Sequence, residues 1–183
     1  MDLNNTENYR RCINKVLISQ EEIAQAVKKA GALISSWHTD KPLVLISVLK
    51  GSFVFLGDIV RAVDAPCEVD FMAAKSYYES TDSSGVVTIT MDLNRDIKGC
   101  DVVIVEDIID TGRTLRDVMG LLRKREPASL RVVTLLDKPD RRIVDLKADY
   151  ALFTIPDLFV IGYGLDYGEY YRNLPYIGEY REV

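Results

Sequence analysis

Apolar residues fall along the chain in two alternating periods. Ile23, Val27, Ala30 and Ile34 recur at helical spacing. Ser19 and Glu22 precede them, a hydroxyl and a carboxylate three residues apart that suit a capping box, so a helix is predicted over about 20–36. Pro42 opens the run Leu43-Val44-Leu45-Ile46-Ser47-Val48-Leu49, a continuous apolar strand suited to the middle of a parallel sheet covered on both faces. Lys50-Gly51-Ser52 ends it, and 53–63 reads as a short helix. A strand is predicted over 69–74. The polar stretch 76–85 has little to bury and reads as a mobile loop. Val87, Ile89 and Met91 then alternate with Thr88, Thr90 and Asp92, the period of a half-exposed strand.

Asp101 to Val105 reads as a second core strand, and Leu115, Val118, Met119 and Leu122 as the apolar face of a helix. Further strands are predicted over 131–136, 150–155 and, briefly, 159–164, before an aromatic, glycine-rich tail. Apolar strands alternating with helices indicate an α/β fold with a mostly parallel central sheet flanked by helices. No repeat, low-complexity segment or linker interrupts the pattern, so one domain over 1–183 is expected.

Composition narrows the chemistry. The 183 residues are 48% hydrophobic and 28% charged, ordinary for a globular chain. A net charge of −5 argues against a main task of gripping nucleic acid, which usually needs a basic face. No apolar run approaches the roughly 18 residues of a membrane span. The polar stretch Met1 to Arg11 lacks the apolar core of a signal peptide. Cys12, Cys67 and Cys100 stand far apart and read as reduced, buried thiols of a cytoplasmic protein. His38 is the only histidine and reads as a loop residue, so a general acid or base is expected among carboxylates and lysines.

The chemistry concentrates in VVIVEDIIDTGRTL, from Val102 to Leu115. A buried strand is expected to end in Glu106 and Asp107, followed by two apolar residues, Asp110, and a helix start at Thr111-Gly112-Arg113-Thr114. Ligands of open α/β sheets bind at such strand ends. Two hydroxyls, a glycine that permits close approach and free N–H groups at a helix N-terminus make a phosphate cradle. The two carboxylates suit a sugar diol, held directly or through magnesium-bound water. Asp110 lies between these groups, where it could take a proton from a base. A capped turn or an acidic pair alone would mean little; the whole run is far more specific. GxxxxGK[ST] is absent, which argues against a P-loop hydrolase, and no strand is followed by GxGxxG, which argues against a dinucleotide-binding dehydrogenase.

This run resembles the phosphoribosyl-pyrophosphate signature of the type I phosphoribosyltransferases, and more narrowly their hypoxanthine-guanine branch. The resemblance extends from about Val16 to Gly178. It implies a small hood formed by terminal segments, dependence on Mg2+, and a homodimer or homotetramer. It also implies purine salvage, by transfer of the phosphoribosyl group from phosphoribosyl pyrophosphate to hypoxanthine or guanine, giving IMP or GMP and pyrophosphate. Leu49-Lys50-Gly51 is similar to the family's pyrophosphate loop, in which the bond before the lysine is commonly cis. Ser76-Tyr77 is similar to its mobile lid. By the same resemblance Glu106 and Asp107 serve the ribose hydroxyls and the metal, Asp110 is catalytic beside the purine N7, and Thr111 to Thr114 take the 5′-phosphate. Lys138 is implied for the 6-oxo group, Phe159 and Val160 for the base clamp, Asp166 for magnesium and Arg172 for pyrophosphate. Ser52, where some members have glycine, departs from the pattern.

Other readings of single residues stand beside these. Lys138 alone would read as a solvated surface charge, Phe159 as core packing, and Asp166 or Arg172 as plain surface. Two further functions remain open: an RNA-binding regulator on the same fold, which the acidic balance does not favour, and transfer to xanthine, which shares the 6-oxo group.

Overall fold

The computed structural model describes residues 5–76 and 87–182. In chain order they form α1 (Thr6–Arg11), β1 (Ile13–Ile18), α2 (Gln20–Trp37), β2 (Leu43–Leu49), α3 (Phe53–Ala62), β3 (Cys67–Ser76), β4 (Val87–Met91) and β5 (Asp101–Ile109). Then follow α4 (Arg113–Arg123), β6 (Ser129–Asp137), a 3-10 turn (Pro139–Arg141), β7 (Tyr150–Thr154), β8 (Val160–Ile161) and β9 (Ile177–Tyr180). The predicted lid over 76–85, with Tyr77, lies outside the described residues apart from Ser76, which ends β3. Among the described residues no helix is long and apolar enough to cross a membrane.

The main sheet has the order β4-β3-β2-β5-β6-β7, parallel except for β4, which runs antiparallel to β3. Strand side chains alternate between its faces. Leu43 and Leu45 of β2 pack with Val103, Val105, Val133 and Leu135 toward α2 and α3, which contribute Ile23, Ile34, Phe55 and Ile59. Val44, Ile46 and Val48 pack the other way with Val102, Ile104 and Val132, against Leu115, Val118 and Leu122 of α4. Burial on both faces is why these strands read as unbroken apolar runs.

The predicted capping box is present. The Ser19 backbone N–H donates to Glu22 Oε2 at 2.8 Å, and the Glu22 N–H donates to Ser19 Oγ at 3.3 Å. A small antiparallel sheet, β1-β9-β8, joins the two ends of the chain as the expected hood. Its Ile18, Val160 and Ile177 enter the α2/α3 side of the core.

Three expectations are corrected. The strand predicted to end at Val105 continues to Ile109, because β6 is equally long and keeps pairing with it through Ile109 and Asp137. The strand predicted over 159–164 is only Val160–Ile161, because Gly162, Tyr163 and Gly164 all have positive φ and cannot stay extended. Cys67 is half-buried, not buried like Cys12 and Cys100, although none of the three is in a disulfide.

Helices α2 and α3 cross where Gly31 meets Ala62. A Cβ at residue 31 would lie 2.4 Å from the Ala62 carbonyl oxygen. Gly31→Ala is therefore expected to push the helices apart and destabilise the fold by about 1–3 kcal/mol in a denaturant melt, despite alanine's better helix propensity.

Candidate active site

The order of the sheet reverses between β2 and β5, the place where open α/β sheets hold ligands. Pairing of β2 with β5 stops at Ser47 and Val105, while β5 runs on beside β6. Past that point β5 has a neighbour on one side only. Glu106 and Asp107 therefore sit within the strand, at its open flank, and not in a loop after it. A cleft of about 280 Å³ fills this gap. Its walls are the end of β2 with Lys50 and Gly51, Glu106 to Asp110, and Thr111, Gly112 and Thr114 at the start of α4.

The Leu49–Lys50 peptide bond is cis, as the resemblance implied. Gly51 lies hard against a carboxylate: a Cβ there would be 1.6 Å from Asp107 Oδ2. Gly164 in turn backs onto Gly51, where a Cβ would be 2.1 Å from the Gly51 carbonyl oxygen. Ser52 keeps out of the cleft, since its hydroxyl is buried, donates to the Val48 carbonyl at 2.6 Å and sits 2.5 Å from Ser47 Oγ.

The two carboxyls of β5 are held away from water. Burial, reinforced by the charge of Asp107, pushes the Glu106 carboxyl well above its ordinary range. Its Oε2 is buried with no hydrogen-bond partner among the described residues. Burial also pushes Asp107 up to about 6. The Ile108 N–H, donating to Asp107 Oδ1 at 2.8 Å, and the charge of Arg172 oppose that rise, whereas the charge of Asp166 adds to it. No group of three or more metal-ligating side chains exists among the described residues. Magnesium needs fewer: it is usually held by one or two carboxylates, substrate phosphates and waters. An orphaned buried carboxyl oxygen and a second carboxyl starved of counter-charge fit such an ion.

At the helix start, Gly112 adopts φ +81° and caps α4 without a side-chain hydrogen bond. The left-handed turn leaves the first N–H groups of the helix at the cleft. One of them, from Arg113, approaches Thr111 Oγ1 at 3.4 Å. The Arg113 side chain is exposed and does not line the cleft.

The remaining predicted residues form two flanking groups. On one side Lys50 Nζ meets Glu169 Oε2 at 3.0 Å. The Arg172 guanidinium reaches the same carboxylate at 3.2 Å and Asp166 Oδ1 at 2.8 Å, and donates to the Gly164 carbonyl at 2.8 Å. Asp166 and Arg172 are thus linked to the first loop and are not isolated surface charges. On the other side Lys138 is 6% exposed and its Nζ donates to the Leu158 carbonyl at 2.6 Å, with Asp157 Oδ1 at 3.8 Å. That rules out a solvated lysine. Phe159 is 54% exposed, so it is not core packing, and its ring meets Tyr167 and Tyr180 edge-on. Val160 beside it is buried.

Glu169, Arg141 and Asp157 were not singled out from sequence. Arg141 Nε donates to Asp110 Oδ1 at 3.1 Å. The only trace of Glu169 was its place three residues before Arg172. His38 ends α2 and does not line the cleft.

Residues 19–168 match the family model of the phosphoribosyl transferase domain. This chain belongs to the phosphoribosyltransferase family. Over 170 residues the phosphoribosyltransferase is 51% identical to a hypoxanthine-guanine phosphoribosyltransferase of Streptococcus pneumoniae, covering 93% of this chain and 94% of that one. Over 166 residues it is 51% identical to the enzyme of that name from Bacillus subtilis, covering 91% and 92%. Its fold superposes on a crystal structure of a hypoxanthine phosphoribosyltransferase from Staphylococcus aureus with a TM-score of 0.91, at 44% identity, covering 98% and 97% of the two chains.

The raised Asp107 carboxyl has a measurable consequence. Its ordinary value is 3.8 and its value in the folded state about 6. Between these the unfolded chain has released the proton while the folded protein still holds it, so stability falls as pH rises through the window. The penalty is complete above about pH 6. Asp107→Asn removes it, and is expected to stabilise the ligand-free phosphoribosyltransferase by roughly 1–3 kcal/mol at pH 7.5, with no gain at pH 4. Chemical denaturation at both pH values checks this, and a gain independent of pH would contradict it.

Proposed function

We propose that this phosphoribosyltransferase serves purine salvage, joining hypoxanthine or guanine to the phosphoribosyl group of phosphoribosyl pyrophosphate and releasing pyrophosphate. One observation carries the reading. A pair of carboxyls with raised pKa and a left-handed, glycine-capped helix start line one cleft, and the buried Lys138 is tied to its wall by its backbone N–H donating to the Ile109 carbonyl. The names of relatives at 51% identity support the choice of bases.

In this reading the whole chain acts as one catalytic unit. The N–H groups and hydroxyls of Thr111 to Thr114 take the 5′-phosphate. Glu106 and Asp107 face the ribose hydroxyls, and with Asp166 would hold Mg2+ directly or through water. When bound, the ion supplies positive charge for the departing pyrophosphate. Lys50 and Arg172 receive the same pyrophosphate, exchanging Glu169 for it. At the reacting carbon the bond to pyrophosphate breaks and a bond to purine N9 forms, while the N7 proton passes to Asp110. Phe159 stacks on the purine, and the Val160 backbone reads its edge. Lys138 donates to the 6-oxo oxygen. An ammonium has no acceptor to offer a 6-amino group, so adenine is a poor substrate. Ser76 and Tyr77 belong to the lid that keeps water from the activated ribose.

The setting is cytoplasmic, supported by Cys12, Cys67 and Cys100 standing outside any disulfide. The working form is a homodimer or homotetramer, as the family resemblance implies. The acidic balance gives no support to a nucleic-acid partner.

A spectrophotometric assay with phosphoribosyl pyrophosphate and magnesium, offering hypoxanthine, guanine, xanthine and adenine separately, tests the reading. Turnover of hypoxanthine or guanine that disappears on chelating magnesium is expected. Turnover of xanthine alone would reassign the base, and no turnover by folded protein would overturn the enzyme. Asp110→Asn is expected to lower kcat by about 100-fold or more without changing the melting temperature. Lys138→Ala is expected to narrow the preference for hypoxanthine over adenine by at least about ten-fold, since it removes the charged donor; an unchanged preference would remove Lys138 from base recognition.

A further inference from the structure

Arg141 closes the 3-10 turn after Lys138 and Arg142 follows it, and the two do different jobs. Arg142 is largely buried, and its guanidinium donates to the carbonyls of Ile109, Asp110 and Leu146 and to the Asp137 carboxylate. It fixes the backbone on which Asp110 is carried. Arg141 is half-exposed and touches none of that backbone. Its Nε donates to Asp110 Oδ1 at 3.1 Å, and its Nη1 lies 3.6 Å from Asp157 Oδ2. Asp157 Oδ1 in turn lies 3.8 Å from Lys138 Nζ. The result is one chain of alternating charge: Asp110, Arg141, Asp157, Lys138.

An ion pair exposed to this degree adds little to stability. The rigid planar fork of a guanidinium, however, sets the orientation of any carboxylate it grips. Arg141 holds Asp110 by one oxygen, and Asp110 lines the cleft. The two ends of the chain are the groups assigned above to purine N7 and to the 6-oxo oxygen.

We propose that Arg141 is a positioning residue, which aims the Asp110 carboxylate at the purine and, through Asp157, ties it to Lys138 at one set spacing. This rests on the role given to Asp110 above. Arg141 need touch neither substrate. Its effect falls on the chemical step, because a base out of line by an ångström transfers a proton poorly.

The test uses Arg141→Gln, Arg141→Lys and Asp110→Asn in the full chain, with the Arg141→Gln/Asp110→Asn double variant. Arg141→Gln is expected to lower kcat for hypoxanthine by roughly ten-fold, with the KM for phosphoribosyl pyrophosphate and the melting temperature nearly unchanged. Arg141→Lys, which keeps the charge but loses the fork, recovers part of the rate. In the Asp110→Asn background the Arg141 change has no further effect, because both act through one group. An unaltered kcat in Arg141→Gln overturns the proposal. So does a full additional loss in the double variant, which would mean that Arg141 acts independently of Asp110. If Asp110→Asn itself keeps its activity, the role of Asp110 fails and the proposal falls with it.

Discussion

The site depends on a mismatch in strand length. β2 leaves the ladder after Ser47, while β5 and β6 remain paired as far as Ile109 and Asp137. Four residues of β5 are thus held straight from one side and open on the other. Pairing with β6 holds Glu106 and Asp107 more rigidly than a loop would, and the lack of a β2 partner past Ser47 opens the space beside them. The backbone hydrogen bonds to β6 fix the carboxyls, and the missing partner makes room for the cleft.

Rigidity at this place carries an electrostatic penalty. Two acidic groups are held next to each other, away from water, with one oxygen left unsatisfied. Both therefore hold their protons to a higher pH than an ordinary carboxyl does. The positive groups nearby are already engaged: Lys50 and Arg172 with Glu169, Arg172 also with Asp166. The site is therefore under tension on the acidic side and internally neutralised on the basic side. A ligand that brings both a cation and phosphates relieves each in turn.

Sequence showed the parts whose patterns are local. The core strands β2, β5 and β6 were legible because burial on both faces leaves continuous apolar runs, and α2 because Ser19 and Glu22 mark its start. The cleft was legible because the acids, Asp110 and the Thr111–Thr114 turn lie together in one stretch. The hood was only outlined, since β1 is mostly exposed and β9 is four residues long, paired with each other across the whole chain. The full length of β5 was hidden because Glu106 and Asp107 read as the end of the strand; only pairing with β6 carries it on through Ile109. Arg141 and Asp157 gave no signal, since their ion pairs join residues up to 31 positions apart.

The segment after β8 is held from two directions. The Tyr163 hydroxyl donates to Asp58 of α3 at 2.5 Å, while Gly164 rests on the Gly51 carbonyl with no space for a methyl group. Asp166, Glu169 and Arg172 follow directly on this anchored turn. The separation between them and the helix start at Gly112 is therefore set by backbone against backbone, not by long side chains that could stretch. A site built in this way works as a gauge. It favours the ligand that spans it from end to end over one that fills either end alone, so it selects by reach as much as by charge.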